Sequence, residues 1–175
     1  MALKATIFKA TLQIADTDRN YYQSHTLTIA RHPSETDERM MVRLLAFALH
    51  AHEALEFGKG LSTDDEPDLW RKDLTGAIEL WIDVGQPDEK RLRKACGRAT
   101  EVVVYSYGGP GAAMWRAQMM PVLARTRNLA IRKISVESSQ AMAKLAQRNM
   151  DLSYTMQEGQ VWIADAKDTV QVALE

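Results

Sequence analysis

The sequence predicts an α/β fold, and three observations carry the prediction. Residues 77–84 alternate, with Ile78, Leu80, Ile82 and Val84 on one face and Glu79, Trp81 and Asp83 on the other, the period of a strand. Val102, Val103 and Val104 run without a polar break, as in a strand buried on both faces. Capped amphipathic helix patterns at 34–55, 87–99 and 138–150 stand between the strand patterns. The middle of the chain reads as the core, with hairpins added at both ends.

The elements follow in order. Residues 5–14 place Phe8, Ala10, Leu12 and Ile14 on one strand face. ADTDRN at 15–20 is a turn, and residues 21–30, rich in Tyr, Thr and Ile, form the returning strand. Ser34 opens the first helix as its N-cap, and Glu35, Asp37 and Glu38 crowd its positive end. Those acids serve the helix dipole, or one of them points inward at a cation. Met41, Leu44, Leu45 and Ala48 make its buried stripe.

Residues 57–68 are a loop by composition, closing on the acids Asp64, Asp65, Glu66 and Asp68. Residues 68–72 form a strand, DLTG at 73–76 turns it, and Gly76 supplies positive φ. A hairpin closed there returns Asp68 to the level of Asp83. Carboxylates gathered on one strand repel unless they are solvated, paired with bases or bridged by a cation. A hard ion such as Mg²⁺ or Mn²⁺ takes one or two carboxylates plus waters and substrate phosphate. Ion pairs to Arg71, Lys72 or the next helix are the competing explanation.

The next helix begins near Pro87 and buries Leu92, Ala95, Cys96 and Ala99. Its basic residues Lys90, Arg91, Lys94 and Arg98 are solvated or supply phosphate contacts. Lys94 points away from the buried stripe and Arg91 flanks it. A strand at 101–109 follows, then a helix at 112–125 that Pro121 should kink or end early. Residues 128–136 read as a strand and 138–150 as a helix capped by Ser138 or Ser139. A hairpin at 151–165 turns at Glu158-Gly159, and 170–174 adds an edge strand.

The whole chain bounds the function. Its 175 residues suit one domain, residues 1–175. A net charge of −1 gives no bulk signal for nucleic acid, so such a role rests on local patches. The single cysteine, Cys96, rules out an internal disulfide and fits a reducing, cytoplasmic compartment. No apolar run approaches the ~20 residues that span a bilayer. His50 and His52 are two apart and face different sides of a helix, so they make no zinc motif. P-loop, dinucleotide and GxSxG patterns are absent.

Three stretches, ARHPSETDERMM (30–41), GLSTDDEPDLW (60–70) and IELWIDVGQPDEKRLRKA (78–95), closely resemble the YaeQ family of bacterial proteins. ATIFKA (5–10) and the closing hairpin extend the likeness over nearly the whole chain. The resemblance implies a divergent branch of the PD-(D/E)XK nucleases. Such a protein has a restriction-endonuclease-like αβββαβ core with a mixed central sheet, here with N-terminal and C-terminal β-hairpin additions. By position it implies Pro67-Asp68 as the PD, Asp83-Val84-Gly85 as the (D/E)XK, and Glu38, or else Glu35, as the first-helix acid. Glu79 is then an outer acid. Asp68, Asp83 and Glu38 would hold Mg²⁺ or Mn²⁺, and Arg91 would contact phosphate. Gly85 stands where the motif has the lysine that steadies the attacking water and the developing charge. The implied activity is metal-dependent phosphodiester hydrolysis with nucleic acid as partner. The alternative is a non-catalytic nucleic-acid- or protein-binding regulator on the same fold.

Overall fold

The strands are β1 (Thr6–Asp16), β2 (Tyr21–Arg31), β3 (Leu55–Phe57), β4 (Leu69–Lys72), β5 (Ile78–Val84), β6 (Ala99–Ser106), β7 (Leu129–Lys133), β8 (Asn149–Gln157), β9 (Gln160–Ala164) and β10 (Thr169–Val172). The helices are α1 (Asp37–Leu49), α2 (Glu89–Arg98), α3 (Pro110–Arg125) and α4 (Val136–Ala143). This computed structural model describes residues 4–175. The chain forms two compact units, one from the residues up to Leu49 with Ser135–Leu174, the other from His50–Ile134 with Glu175.

The first unit holds a five-stranded sheet ordered β10-β9-β8-β1-β2. β1 and β2 pair antiparallel over their full length, from Thr6 with Arg31 to Asp16 with Tyr21. β1 runs parallel to β8, and β8, β9 and β10 continue antiparallel. Strict alternation sends Phe8, Ala10, Leu12 and Ile14 inward beside Met150, Leu152, Tyr154 and Met156, all buried. α1 is buried continuously from Met40 to Ala48, wider than the predicted stripe.

The second unit holds a sheet ordered β3-β4-β5-β6-β7. β4 runs antiparallel to its neighbours β3 and β5, whereas β6 and β7 run parallel to β5. α2 and α3 supply Leu92, Ala95, Trp115, Met119 and Val122 to a core with Trp81, Val102 and Val104. β5 is therefore covered on both faces: Trp81 is 1% and Asp83 2% exposed. The face that carries Glu79, Trp81 and Asp83 lies under α2, and Glu79 at its start stays half-exposed, paired with Arg71 at 3.0 Å.

Several boundaries differ from the sequence expectation for local reasons. α1 begins at Asp37, capped by Thr36, whose Oγ1 accepts from the Arg39 N–H. Ser34 instead bonds the His32 ring. The helix ends at Leu49, short of the expected 55, and Leu55–Phe57, where the expected helix gave way to the expected loop, pair with β4 as β3. α3 runs through Pro121 without ending there. Pro121 is on the exposed face, where the carbonyl whose partner N–H proline lacks is open to solvent. α4 starts earlier, because Ser135 rather than Ser138 or Ser139 caps it by accepting from the Ser138 N–H.

Candidate functional site

β-Pairing builds the site. Leu69 is opposite Ile82, so one residue further along the hairpin Asp68 is opposite Asp83. Both are buried, at 3% and 2% exposure. Two ionised carboxylates taken out of water on neighbouring strands need compensation. Asp68 Oδ2 accepts the Val84 N–H at 2.8 Å. Asp83 receives Arg91 as a fork: Nε donates to Oδ2 at 2.9 Å and Nη2 to Oδ1 at 3.0 Å.

α2 aims that arginine. Asp88 caps the helix by accepting the Arg91 N–H, so Arg91 lies in the first turn, directly after the bend that leaves β5. Two of its other three donors go to the acidic loop, Nη2 to the Glu66 carbonyl at 2.9 Å and Nη1 to the Thr63 carbonyl at 3.3 Å. Asp64 is further out, 3.8 Å from Nη1. Burial pulls the Arg91 guanidinium toward losing its charge. The hydrogen bond and charge of Asp83, with Asp68 and Asp64 behind it, outweigh burial and hold its pKa above the ordinary arginine value.

The rest of the basic face of α2 grips the same loop. Lys94 Nζ donates to Asp65 Oδ1 at 2.9 Å and Arg98 Nη1 to the Asp65 carbonyl at 2.8 Å. The Lys94 hydrogen bond and charge hold the Asp65 carboxyl below the usual range. Arg98 also lies 5.2 Å from the centre of the Trp81 ring, and Trp81 meets Trp70 edge to face at 6.1 Å. The acids at 64 and 65 face solvent, as clustered acids usually do, while Asp68 does not.

Two glycines fix the geometry. Gly60 has φ +46°, and a Cβ there would stand 2.3 Å from Asp68 Oδ1, so the loop backbone closes directly on that carboxylate. Gly85 has φ +105°, a conformation side-chain-bearing residues rarely adopt. The backbone leaving β5 is shaped against any side chain there.

Of the residues singled out from sequence, the structure joins Asp68, Asp83 and Arg91. Glu38 is in the first unit, where its carboxylate accepts from Ser139 Oγ at 2.8 Å. Glu35 is buried just before α1 and held by Arg39 and Arg43, the latter through both Nε and Nη2. Among the described residues no three His, Cys, Asp or Glu side chains are gathered as a metal-ligand set. A divalent cation does not fit the acid pair as it stands. Both Asp83 oxygens are engaged by Arg91, which also bonds the Thr63 and Glu66 carbonyls of the loop. Sequence reasoning missed the Thr63 and Glu66 carbonyls and the closure at Gly60. The glycine flanking Lys59 was the available signal, but a backbone acceptor carries no residue signature.

Fold and site define, among the described residues, a mixed α/β protein with two five-stranded mixed sheets and four α-helices, whose second sheet carries an arginine-paired aspartate couple. The chain belongs to the YaeQ family: the family model described as YaeQ protein matches residues 1–174. The uncharacterized protein YaeQ of Escherichia coli (strain K12) is 44% identical over 174 residues, covering 99% of this chain and 96% of that one. Its Salmonella typhi counterpart is 42% identical over the same length. The crystal structure of YaeQ from Xanthomonas axonopodis pv. citri superposes with a TM-score of 0.93 at 50% identity, covering 97% of this chain and 96% of that one. That of YaeQ from Pseudomonas syringae gives 0.93 at 38% identity, covering 98% and 94%. Among the described residues no helix is long and apolar enough to cross a membrane.

Proposed function

We propose that this chain is a restriction-endonuclease-like protein of PD-(D/E)XK type that works by binding rather than by cleavage. The observation that carries this reading is Arg91: it occupies both oxygens of Asp83 and is tied to the loop carbonyls beside it. Two features support the ancestry, the Pro67-Asp68 entry to β4 opposite Asp83 on β5 and the parallel β6 that follows α2. Two support the loss of turnover, the engaged Asp83 and the glycine-only backbone at Gly85. A protein partner suits the surface better than a nucleic acid. The cations of α2 that would meet phosphate, Arg91, Lys94 and Arg98, are bonded to residues 63–66. α3 is apolar on more than its buried side, with Met114 65% and Met120 60% exposed, and exposed apolar patches mark contact sites.

The buried, register-paired carboxylates favour a second reading, a Mg²⁺- or Mn²⁺-dependent phosphodiester hydrolase using Asp68 and Asp83 with Glu38. One experiment separates the two. Single- and double-stranded DNA and RNA are incubated with the chain and either ion, beside Asp83→Ala. The binding reading expects no cleavage that depends on Asp83. It also expects nucleic-acid affinity no tighter than a non-specific Kd of about 10⁻⁴–10⁻⁶ M at physiological salt. Cleavage abolished by Asp83→Ala would replace it with the hydrolase reading.

A further inference from the structure

β2 is an outer strand of its sheet. Its 11 residues pair with β1 in unbroken register, with no bulge to twist the edge away. The Lys9 N–H donates to the Arg148 carbonyl, toward β8. Main-chain groups of successive strand residues point to opposite sides. The odd residues of β1 therefore turn to β8 and its even residues to β2. Through the pairing of Leu12 with His25, the odd residues of β2 close the ladder and its even residues point outward. Ala30 obeys this parity: its carbonyl leaves the sheet and accepts from Arg43 Nη2 at 3.0 Å. Tyr22, Ser24, Thr26 and Thr28 point the same way, and no hydrogen bond from elsewhere in the described chain reaches their outward N–H and C=O groups.

Exposed edges are ordinarily blunted by lysine, proline, a bulge or a covering loop, because their unpaired groups template another strand. Tyr22–Thr28 has none of these: its sequence YQSHTLT holds no lysine, arginine, acid or proline. The side chains of Tyr22, Ser24, Thr26 and Thr28 are exposed on the outer face of the sheet. We propose that this edge joins the same edge of a second copy of the chain, antiparallel about a two-fold axis at His25, fusing two five-stranded sheets into one. The occupant follows from the strand. Antiparallel self-pairing sets Tyr22 opposite Thr28 and Ser24 opposite Thr26, so every outward N–H and C=O meets its complement, giving roughly eight bonds between chains. Like charges directly opposite destabilise such pairs, and within Tyr22–Thr28 no lysine, arginine or acid opposes another. A two-fold edge contact is also closed, so it stops at the dimer.

The test is sedimentation velocity from about 1 µM to about 500 µM, the range that spans a small to standard interface. The wild type is expected to pass from monomer to dimer across that range. Thr26→Pro removes an outward N–H without touching the β1 ladder, and is expected to weaken dimerisation at least about tenfold at an unchanged melting temperature. His25→Cys, made with Cys96→Ser, is expected to oxidise to a covalent dimer. Opposed residues of a non-hydrogen-bonded pair stand about 4.5 Å apart at Cα, within disulfide reach. If Thr26→Pro does not fold, the cross-link alone decides. A monomer throughout the range overturns the proposal. So does a dimer that ignores Thr26→Pro and leaves His25→Cys uncross-linked, since it uses another surface.

Discussion

Arg91→Ala is the most informative single change in the second unit. It removes the partner of a carboxylate that is 2% exposed and leaves the charge of Asp83 uncompensated beneath α2. Breaking a buried ion pair from one side costs about 3–5 kcal/mol. The Arg91 side chain retains 18% exposure, so water enters part of the vacated space and the lower end, about 3 kcal/mol, is expected. The Thr63 and Glu66 carbonyls lie at the loop surface and rehydrate, adding little. For a chain of this size such a loss lowers Tm by roughly 6–12 °C. Urea unfolding at constant m measures it. The double variant Arg91→Ala/Asp83→Asn removes the stranded charge and should regain about 1–2 kcal/mol over Arg91→Ala alone. A cost within the ~1 kcal/mol of an exposed pair, additive with Asp83→Asn, would refute the reasoning and demote the fork to an ordinary surface bridge.

Other expectations follow from the same physics. Gly85→Lys supplies the lysine that the proposed nuclease ancestry would place there but faces φ +105°, with open space around it. It should destabilise by about 1–3 kcal/mol in a urea melt and confer no cleavage. Tyr154→Phe should be neutral or stabilise by up to about 2 kcal/mol. The Tyr154 hydroxyl is buried with no partner among the described residues, and burial holds its pKa well above the usual phenol value. Burial also raises the Cys96 thiol above its ordinary range. Its reaction with a disulfide reagent near pH 8 should therefore be slower than that of the urea-unfolded chain. Because the folded state holds this proton longer, the linked contribution to stability is present below the ordinary thiol pKa and lost as pH rises past it.

Where local pattern decides structure, the sequence was readable. The β1–β2 hairpin, the turn at Gly76, β5 and the Glu158-Gly159 turn all lie within a residue or two of expectation, because alternation and turn chemistry act over a few neighbours. The approach of Asp68 to Asp83 was legible for the same reason, since the hairpin turn sets the register. The rest depended on contacts between distant segments. Leu55 closed the expected helix and Phe57 opened the expected loop, and only pairing with Leu69–Arg71 makes Leu55–Phe57 a strand. The burial of Trp81 and Asp83 was not legible, because periodicity along β5 carries no information about the helix that covers it. Arg91 shows the limit most clearly. Its position eight residues after Asp83 was visible, but the fork it closes depends on how far the bend at Gly85 turns the chain. The two carbonyls that finish its coordination belong to a loop with no pattern at all.

The most direct test of the central claim is a Mn²⁺ titration of the wild-type chain by calorimetry, beside Asp83→Ala. If Arg91 is the resident counter-ion of the acid pair, no saturable site tighter than about 1 mM appears in either protein. A single micromolar site in the wild type, lost in Asp83→Ala, would contradict the account. It would show that the aspartates exchange their arginine for a metal.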